Sequence, residues 1–247
     1  MHTLPAWPYP ATIAHRGAGK LAPENTLAAF RLGAAHGYRA FEFDVKLSRD
    51  EQSFLLHDDS LDRTSNAQGP ADALSLAELQ QLDAGSWHSP TWAGEPVPSL
   101  AMIARYTQAN ACSVNIEIKP MPGRETETGR GVARAAQQLW QDAVIPPLLS
   151  SFSEEALAAA AEAAPELPRA LLLETIPADW QARLQRLGCV ALDARHSCLD
   201  ESLIAQAHQA GYRVLCYTVN DPARAEQLLA WGVDSIITDA VDQISPR

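Results

Sequence analysis

The chain of 247 residues is 47% hydrophobic and 20% charged, enough to bury a sizeable core in one or two domains of ordinary globular composition. Its 19 Lys and Arg stand against 30 Asp and Glu, a formal charge of −11, and no extended basic cluster occurs. Nucleic acid and anionic membrane surfaces are therefore poor partners, because both favour clustered positive charge.

The opening stretch MHTLPAWPYPATIAH has neither a basic start nor an apolar segment of leader type, and its prolines break any helix. No run of about eighteen apolar residues follows. A cytoplasmic protein without stable membrane insertion is expected.

From residue 11 onward, short β-branched or aliphatic runs alternate with stretches of helical periodicity, the pattern of βα units around a parallel sheet. The strand-like runs are TIAH (12–15), FEFDV (41–45), SVNIEIK (113–119), PLLSSF (147–152), RALLLE (169–174), CVALD (189–193), RVLCYTV (213–219) and DSIITD (234–239). Helical stretches such as TLAAFRLGAAHG, EEALAAAAEAA and PARAEQLLAWG lie between them, and several close on Gly37, Gly188, Gly211 or Gly232, the usual helix stop. Eight strands, each followed by a helix, in about 250 residues predict a (β/α)8 TIM barrel. The competing open, doubly wound sheet needs a Gly-rich phosphate fingerprint that the chain lacks.

One connection is out of proportion. Between the second strand and a helix starting near Ser99 lies a long segment with one short helical piece, SLAELQQLD. It reads as a small insertion at about 59–98 within a single domain spanning 1–247.

The candidate chemistry begins at the first strand, which His15 and Arg16 close. In the following LAPENTLAAF, Pro23 suits the first helical turn and Asn25 or Thr26 can cap it. Glu24 is either a partner behind Arg16 or a metal, or a first-turn acid favoured by the helix dipole.

The second strand breaks the apolar rule of a buried parallel sheet, since Glu42 and Asp44 share the face opposite Phe41, Phe43 and Val45. The third breaks it again with Asn115, Glu117 and Lys119 on one face. Adjacent strands lie about 4.8 Å apart and alternate residues about 6.6 Å, so Glu42, Asp44 and Glu117 can converge. Desolvating three unpaired carboxylates costs several kcal/mol each, a cost that one divalent cation, Mg2+ or Ca2+, offsets. The alternative is ordinary pairing with Arg16, Lys119 or Arg39.

His57 closes a further apolar run, SFLLHD, and with His15 supplies the two groups that acid/base chemistry needs. Arg16 and Lys119 suit an anionic substrate, one as a planar fork and the other as a point charge. His2, His36, His88, His196 and His208 receive no role. Cys112, Cys189, Cys198 and Cys216 lack metal or redox spacing and read as reduced, mostly buried thiols.

Taken together and in order, AHRGAGKLAPENTLAAF, FEFDVKLSRD, FLLHDDSLDRTSN, NIEIKP, YTVND and GVDSIITD resemble the glycerophosphodiester phosphodiesterase family over nearly the whole chain. WPYP, GEPVPSL and PPLLSSF are similar to stretches of its bacterial cytoplasmic members. The resemblance implies a TIM barrel with an insertion after the second strand, and hydrolysis of glycerophosphodiesters to sn-glycerol 3-phosphate and an alcohol. It further implies His15 and His57 as the acid/base pair, Glu42, Asp44 and Glu117 as metal ligands, and Arg16 and Lys119 as phosphate contacts. Glu24 and Asn25 would support these groups from behind. Many members carry Trp where YTVN has Tyr217, which keeps an apolar face for the glycerol moiety. The small glycerophosphodiester is the implied partner; the oligomeric state, a homodimer included, stays open.

Overall fold

A computed structural model of the chain describes residues 4–247. Nine strands form, in chain order: β1 (Thr12–His15), β2 (Ala40–Leu47), β3 (Ser53–Leu55), β4 (Ser113–Ile118), β5 (Leu148–Ser151), β6 (Arg169–Leu173), β7 (Ala191–Arg195), β8 (Arg213–Tyr217) and β9 (Ser235–Thr238). Eight of them pair in parallel and close a ring through β1 against both β2 and β9. The chain is a (β/α)8 TIM barrel.

β3 lies outside the ring, antiparallel to the end of β2 with Phe54 opposite Lys46. The run SFLLHD is therefore a short hairpin partner that delivers His57 to the rim.

The helices are α1 (Leu27–Ala35), α2 (Leu76–Leu79), α3 (Leu100–Ala109), α4 (Glu125–Leu139), α5 (Glu154–Ala163), α6 (Trp180–Leu187), α7 (Glu201–Gln209) and α8 (Pro222–Ala230). The helix stops expected at Gly37, Gly188, Gly211 and Gly232 all take positive φ, which a side chain would strain. A helix after the last barrel strand is expected and does not form among the described residues. Residues 239–247 follow β9 and pack as a tail: the Tyr38 hydroxyl donates to the Ile244 carbonyl at 2.6 Å, and Arg247 N–H to Thr12 Oγ1 at 2.8 Å.

The cap of α1 falls to Thr26, whose Oγ1 accepts the Ala29 N–H at 3.3 Å. Pro23 lies ahead of this cap rather than in the first turn, and Asn25 takes a different task described below.

Strand alternation sorts the side chains as the sequence implies. Phe41 and Phe43 of β2 face outward onto Phe30 of α1, with ring centroids 5.1 and 5.3 Å away. Inside the barrel, Ile13, Ala40, Leu148, Ala170, Ala191, Leu215 and Ile237 form an apolar plug. Its burial supplies stability, and it leaves the polar inward positions to the C-terminal mouth, where barrel sites are built.

The segment between β3 and α3 gathers Leu56, Leu61, Ala71, Leu79, Ala84 and Val97 around Phe54 in a satellite core. SLAELQQLD contributes a single turn, α2, closed by a capping box between Ser75 and Glu78. Fully buried Lys46 anchors the segment by donating to Asp59 at 2.7 Å. No helix among the described residues is long and apolar enough to cross a membrane, and all four cysteines are free.

Candidate active site

β1 ends at His15, in register with Glu42 of β2. The chain then turns sharply: Arg16 and Asn25 both take left-handed backbone, with φ of 51 and 60°. Such residues cost about 1–3 kcal/mol each and persist where surrounding contacts demand them. Here the Asn25 N–H donates to the Arg16 carbonyl at 3.0 Å, and the Arg16 N–H reaches Glu42 at 3.3 Å. The turn thereby points Arg16 back over β2. Asn25 does not cap α1; its amide donates to Asp44 Oδ2 at 2.8 Å and its carbonyl accepts the Asp44 N–H at 3.2 Å.

β2 and β4 pair with Asp44 opposite Glu117 and Glu42 opposite Asn115. Oxygen atoms of Glu42, Asp44 and Glu117 all come within 4.8 Å of one another, and all three residues are buried. Burial first, then Asp44 and Glu117, pushes the Glu42 carboxyl well above its ordinary range. Burial and then Asp44 push Glu117 up to about 7 against the pull of Lys119. Burial also acts on Asp44, but Arg16 foremost, then Lys119, His57 and the Asn25 amide, outweigh it and hold Asp44 well below the usual carboxylate range. Asp44 Oδ1 is buried without a hydrogen-bond donor. Three converging carboxylates of this kind form a hard oxygen donor set, which fits Mg2+ or Ca2+.

The pairing alternative is realised in part beside it. Arg16 Nε lies 3.3 Å from Asp44, and Lys119 Nζ donates to Glu117 at 2.8 Å while standing 3.5 Å from Asp44. Arg39 takes no part, since its guanidinium donates to the Ala34 and Tyr38 carbonyls. Glu24 accepts from Arg16 Nη1 at 2.8 Å, so it stands behind the guanidinium rather than serving only the helix dipole.

Both histidines are anchored through Nδ1. His15 Nδ1 lies 2.6 Å from Asp239 Oδ1, and His57 Nδ1 lies 2.7 Å from Asp58 Oδ1. An ionised carboxylate only accepts, so Nδ1 carries the proton in each ring and Nε2 is left for exchange. Burial lowers the His57 pKa, with Asp44 opposing. Asp239 is itself held by Asn220, whose amide donates to it at 3.0 Å and whose carbonyl accepts the Asp239 N–H at 2.8 Å. Gly19 permits this approach, because a Cβ there would stand 2.1 Å from the Asp239 carbonyl oxygen.

His15, Arg16, Glu42, His57, Glu117 and Lys119 open on one cavity of about 440 Å3. Tyr217 and Phe152 line its side with rings edge-to-face at 5.7 Å, and the Tyr217 hydroxyl donates to the Leu173 carbonyl at 3.1 Å. Its floor is polar. Asn115, Ser150 and Asp193 reach it fully or almost fully buried, and Asn115 Nδ2 and Oδ1, Ser150 Oγ and both Asp193 oxygens have no protein hydrogen-bond partner. Burial first and then Glu117 push the Asp193 carboxyl well above its ordinary range.

The structure thus brings His15, Arg16, Glu42, Asp44, His57, Glu117, Lys119 and Tyr217 to one end of the barrel, with Glu24 and Asn25 behind them. Sequence reasoning missed Asp58, Asp239, Asn220 and Asp193 as parts of the site. Asp193 and Asp239 carried the same signal as Glu42, an acid within or closing an apolar run; Asn220 carried none.

The pattern of the Glycerophosphoryl diester phosphodiesterase family matches residues 15–243. The chain is 34% identical over 239 residues to YhdW of Bacillus subtilis, covering 94% of this chain and 95% of that protein. It is 32% identical over 232 residues to the glycerophosphodiester phosphodiesterase of Caldanaerobacter subterraneus subsp. tengcongensis, covering 92% and 93%. Among solved structures, an Oleispira antarctica phosphodiesterase in complex with its product sn-glycerol-3-phosphate superimposes with a TM-score of 0.89 at 36% identity, covering 96% of this chain and 95% of that one. A match over almost the full length, in a barrel whose mouth gathers these carboxylates and histidines, places the chain in the glycerophosphoryl diester phosphodiesterase family.

Proposed function

We propose that the chain hydrolyses glycerophosphodiesters, such as glycerophosphocholine and glycerophosphoethanolamine, to sn-glycerol 3-phosphate and the free alcohol. The observation that carries this reading is the convergence of three buried carboxylates and two carboxylate-anchored histidines on one cavity. Glu42, Asp44 and Glu117 hold one divalent cation, Mg2+ or Ca2+. When bound, that cation neutralises charge developing on the phosphoryl oxygens as a Lewis acid. The insertion at 59–98 belongs to the same catalytic domain.

Arg16 and Lys119 contact the remaining phosphate oxygens, and their ion pairs with Asp44 and Glu117 hold both cations toward the cavity. Tyr217 offers its ring to the glycerol carbons. His15 Nε2 takes the proton of the attacking hydroxyl, and Asp239 stabilises the imidazolium that forms. His57, which must take up a second proton on Nε2 before the chemical step, gives that proton to the oxygen of the departing alcohol and returns to its Nδ1-protonated neutral form. With water as the nucleophile, these two transfers complete the hydrolysis; with the neighbouring glycerol hydroxyl they give a cyclic phosphate and the free alcohol, and water then opens the ring in a second round in which the two histidines exchange roles.

The test is release of sn-glycerol 3-phosphate from glycerophosphocholine, first with chelator and then with Mg2+ or Ca2+ restored. Product that appears only with the cation supports the proposal. No product under any metal condition overturns it.

A further inference from the structure

We propose that Arg63, within the insertion, is a positioning residue that holds His57 and Arg16 in one fixed arrangement; the claim rests on the roles proposed above for those two side chains. The Arg63 guanidinium grips two carboxylates at once. Nε and Nη2 donate to Oδ2 and Oδ1 of Asp58 at 2.7 and 2.8 Å, and Nη1 and Nη2 donate to Oε2 and Oε1 of Glu24 at 2.7 and 2.8 Å. Behind each carboxylate stands a residue of the site. Asp58 Oδ1 faces His57 Nδ1 at 2.7 Å, and Glu24 Oε1 accepts from Arg16 Nη1 at 2.8 Å.

The groups so joined come from three separate segments: the β1–α1 loop carries Arg16 and Glu24, the end of the β3 run carries His57 and Asp58, and the insertion carries Arg63. Among the described residues no other cation bridges Asp58 and Glu24. Only an arginine can do so with this geometry, because two bidentate contacts need four N–H donors in one rigid plane, whereas lysine presents a single point charge. Trp87, also from the insertion, lies with its ring centroid 5.9 Å from the guanidinium carbon and limits the plane's rotation.

Energy alone does not explain the arrangement. The Arg63 side chain is 43% exposed, and exposed ion pairs contribute little to stability. What the fork does is geometric. It fixes Asp58, which fixes the His57 ring and its tautomer, and it fixes Glu24, which aims Arg16. Seating of the insertion is thereby transmitted to the proton donor and to the phosphate contact together.

The test compares wild type with Arg63→Lys and Arg63→Ala, reading imidazole nitrogen NMR signals of 15N-histidine-labelled protein, with His57 assigned through His57→Gln. Wild type should show neutral His57 protonated on Nδ1, and both variants a mixture of the two tautomers, while the His15 signals stay in place. Turnover of glycerophosphocholine should fall about 10–100-fold in kcat, the usual cost of losing an orienting partner, with unchanged circular dichroism. Added guanidinium should restore part of the Arg63→Ala rate. Arg63→Lys keeps the charge and decides the matter if Arg63→Ala does not fold. Unchanged His57 signals in the folded variants overturn the proposal, whatever kcat does. Absence of turnover in wild type would count against the proposed hydrolysis instead, and the tautomer comparison would still decide the role of Arg63.

Discussion

His15 Nδ1 lies 2.6 Å from Asp239 Oδ1, a contact between residues 224 positions apart that exists only because β9 returns to pair with β1. Asp239→Ala should lower kcat about 10–100-fold, as loss of an orienting carboxylate generally does, with KM near the wild-type value. Asp239→Asn, whose amide oxygen still accepts the Nδ1 proton, should retain more. Equal rates in wild type and Asp239→Ala would remove Asp239 from the site.

His15→Ala and His57→Ala should each reduce turnover by about 10²–10⁴-fold, the usual contribution of a positioned acid or base. Neither ring belongs to the apolar core, so far-ultraviolet circular dichroism should be unchanged. Near-normal rates in both variants would contradict the assignment.

The acidic triad predicts a pH effect on the metal-free protein. Unfolded chain releases the Glu117 proton near 4.5, whereas the folded protein keeps it to about 7. The folded state therefore binds more protons across that window, and the thermal midpoint should fall as pH rises through it. Asp44, Glu24 and Asp239 are shifted downward and act at lower pH, where they favour the folded state with rising pH. Saturating Mg2+ or Ca2+ should reduce the decline above pH 4.5 to the part that Asp193 contributes, and Glu117→Gln should make it shallower without metal. A midpoint independent of pH in chelator would show that the triad is not under this strain.

Asp193 makes a second stability prediction. Its two oxygens are buried without partners, and an unsatisfied buried polar group costs about 1–3 kcal/mol. Asp193→Leu should therefore stabilise the protein by a comparable amount. The folded protein holds the Asp193 proton to a higher pH than the unfolded chain, whose ordinary value is 3.8, so the gain should be larger at pH 7 than at pH 4. Denaturant unfolding at the two pH values checks both parts, and destabilisation at pH 7 would refute them.

The barrel was legible because its strands repeat one physical pattern, an apolar run between a helix stop and a polar rim. Glu42, Asp44 and Glu117 were legible for a related reason: charge at every second position of a buried strand forces convergence and demands compensation. β3 was not, since three residues against the end of β2 carry too little periodicity to register as a strand. The missing helix after β9 was not either, because strand counting assigns a helix to every strand, whereas residues 239–247 form turns that pack against Tyr38 and Thr12. Asn25 shows the limit of local rules most clearly. Capping chemistry offered it to α1 on equal terms with Thr26, and only the left-handed turn at Arg16 and Asn25 redirected its amide to Asp44. The partners Asp239 and Asn220 depend on ring closure, which no local pattern encodes.

The apolar plug of Ile13, Leu148, Leu215, Ile237 and their alanine neighbours also governs traffic. A barrel stoppered from below is a cul-de-sac, so reactant and both products use one doorway at the C-terminal rim. If one product of the proposed hydrolysis lies beneath the other, it leaves second. A single doorway of this kind makes ordered release the expectation for the proposed reaction, with the deeper product alone acting as a simple competitor of incoming substrate.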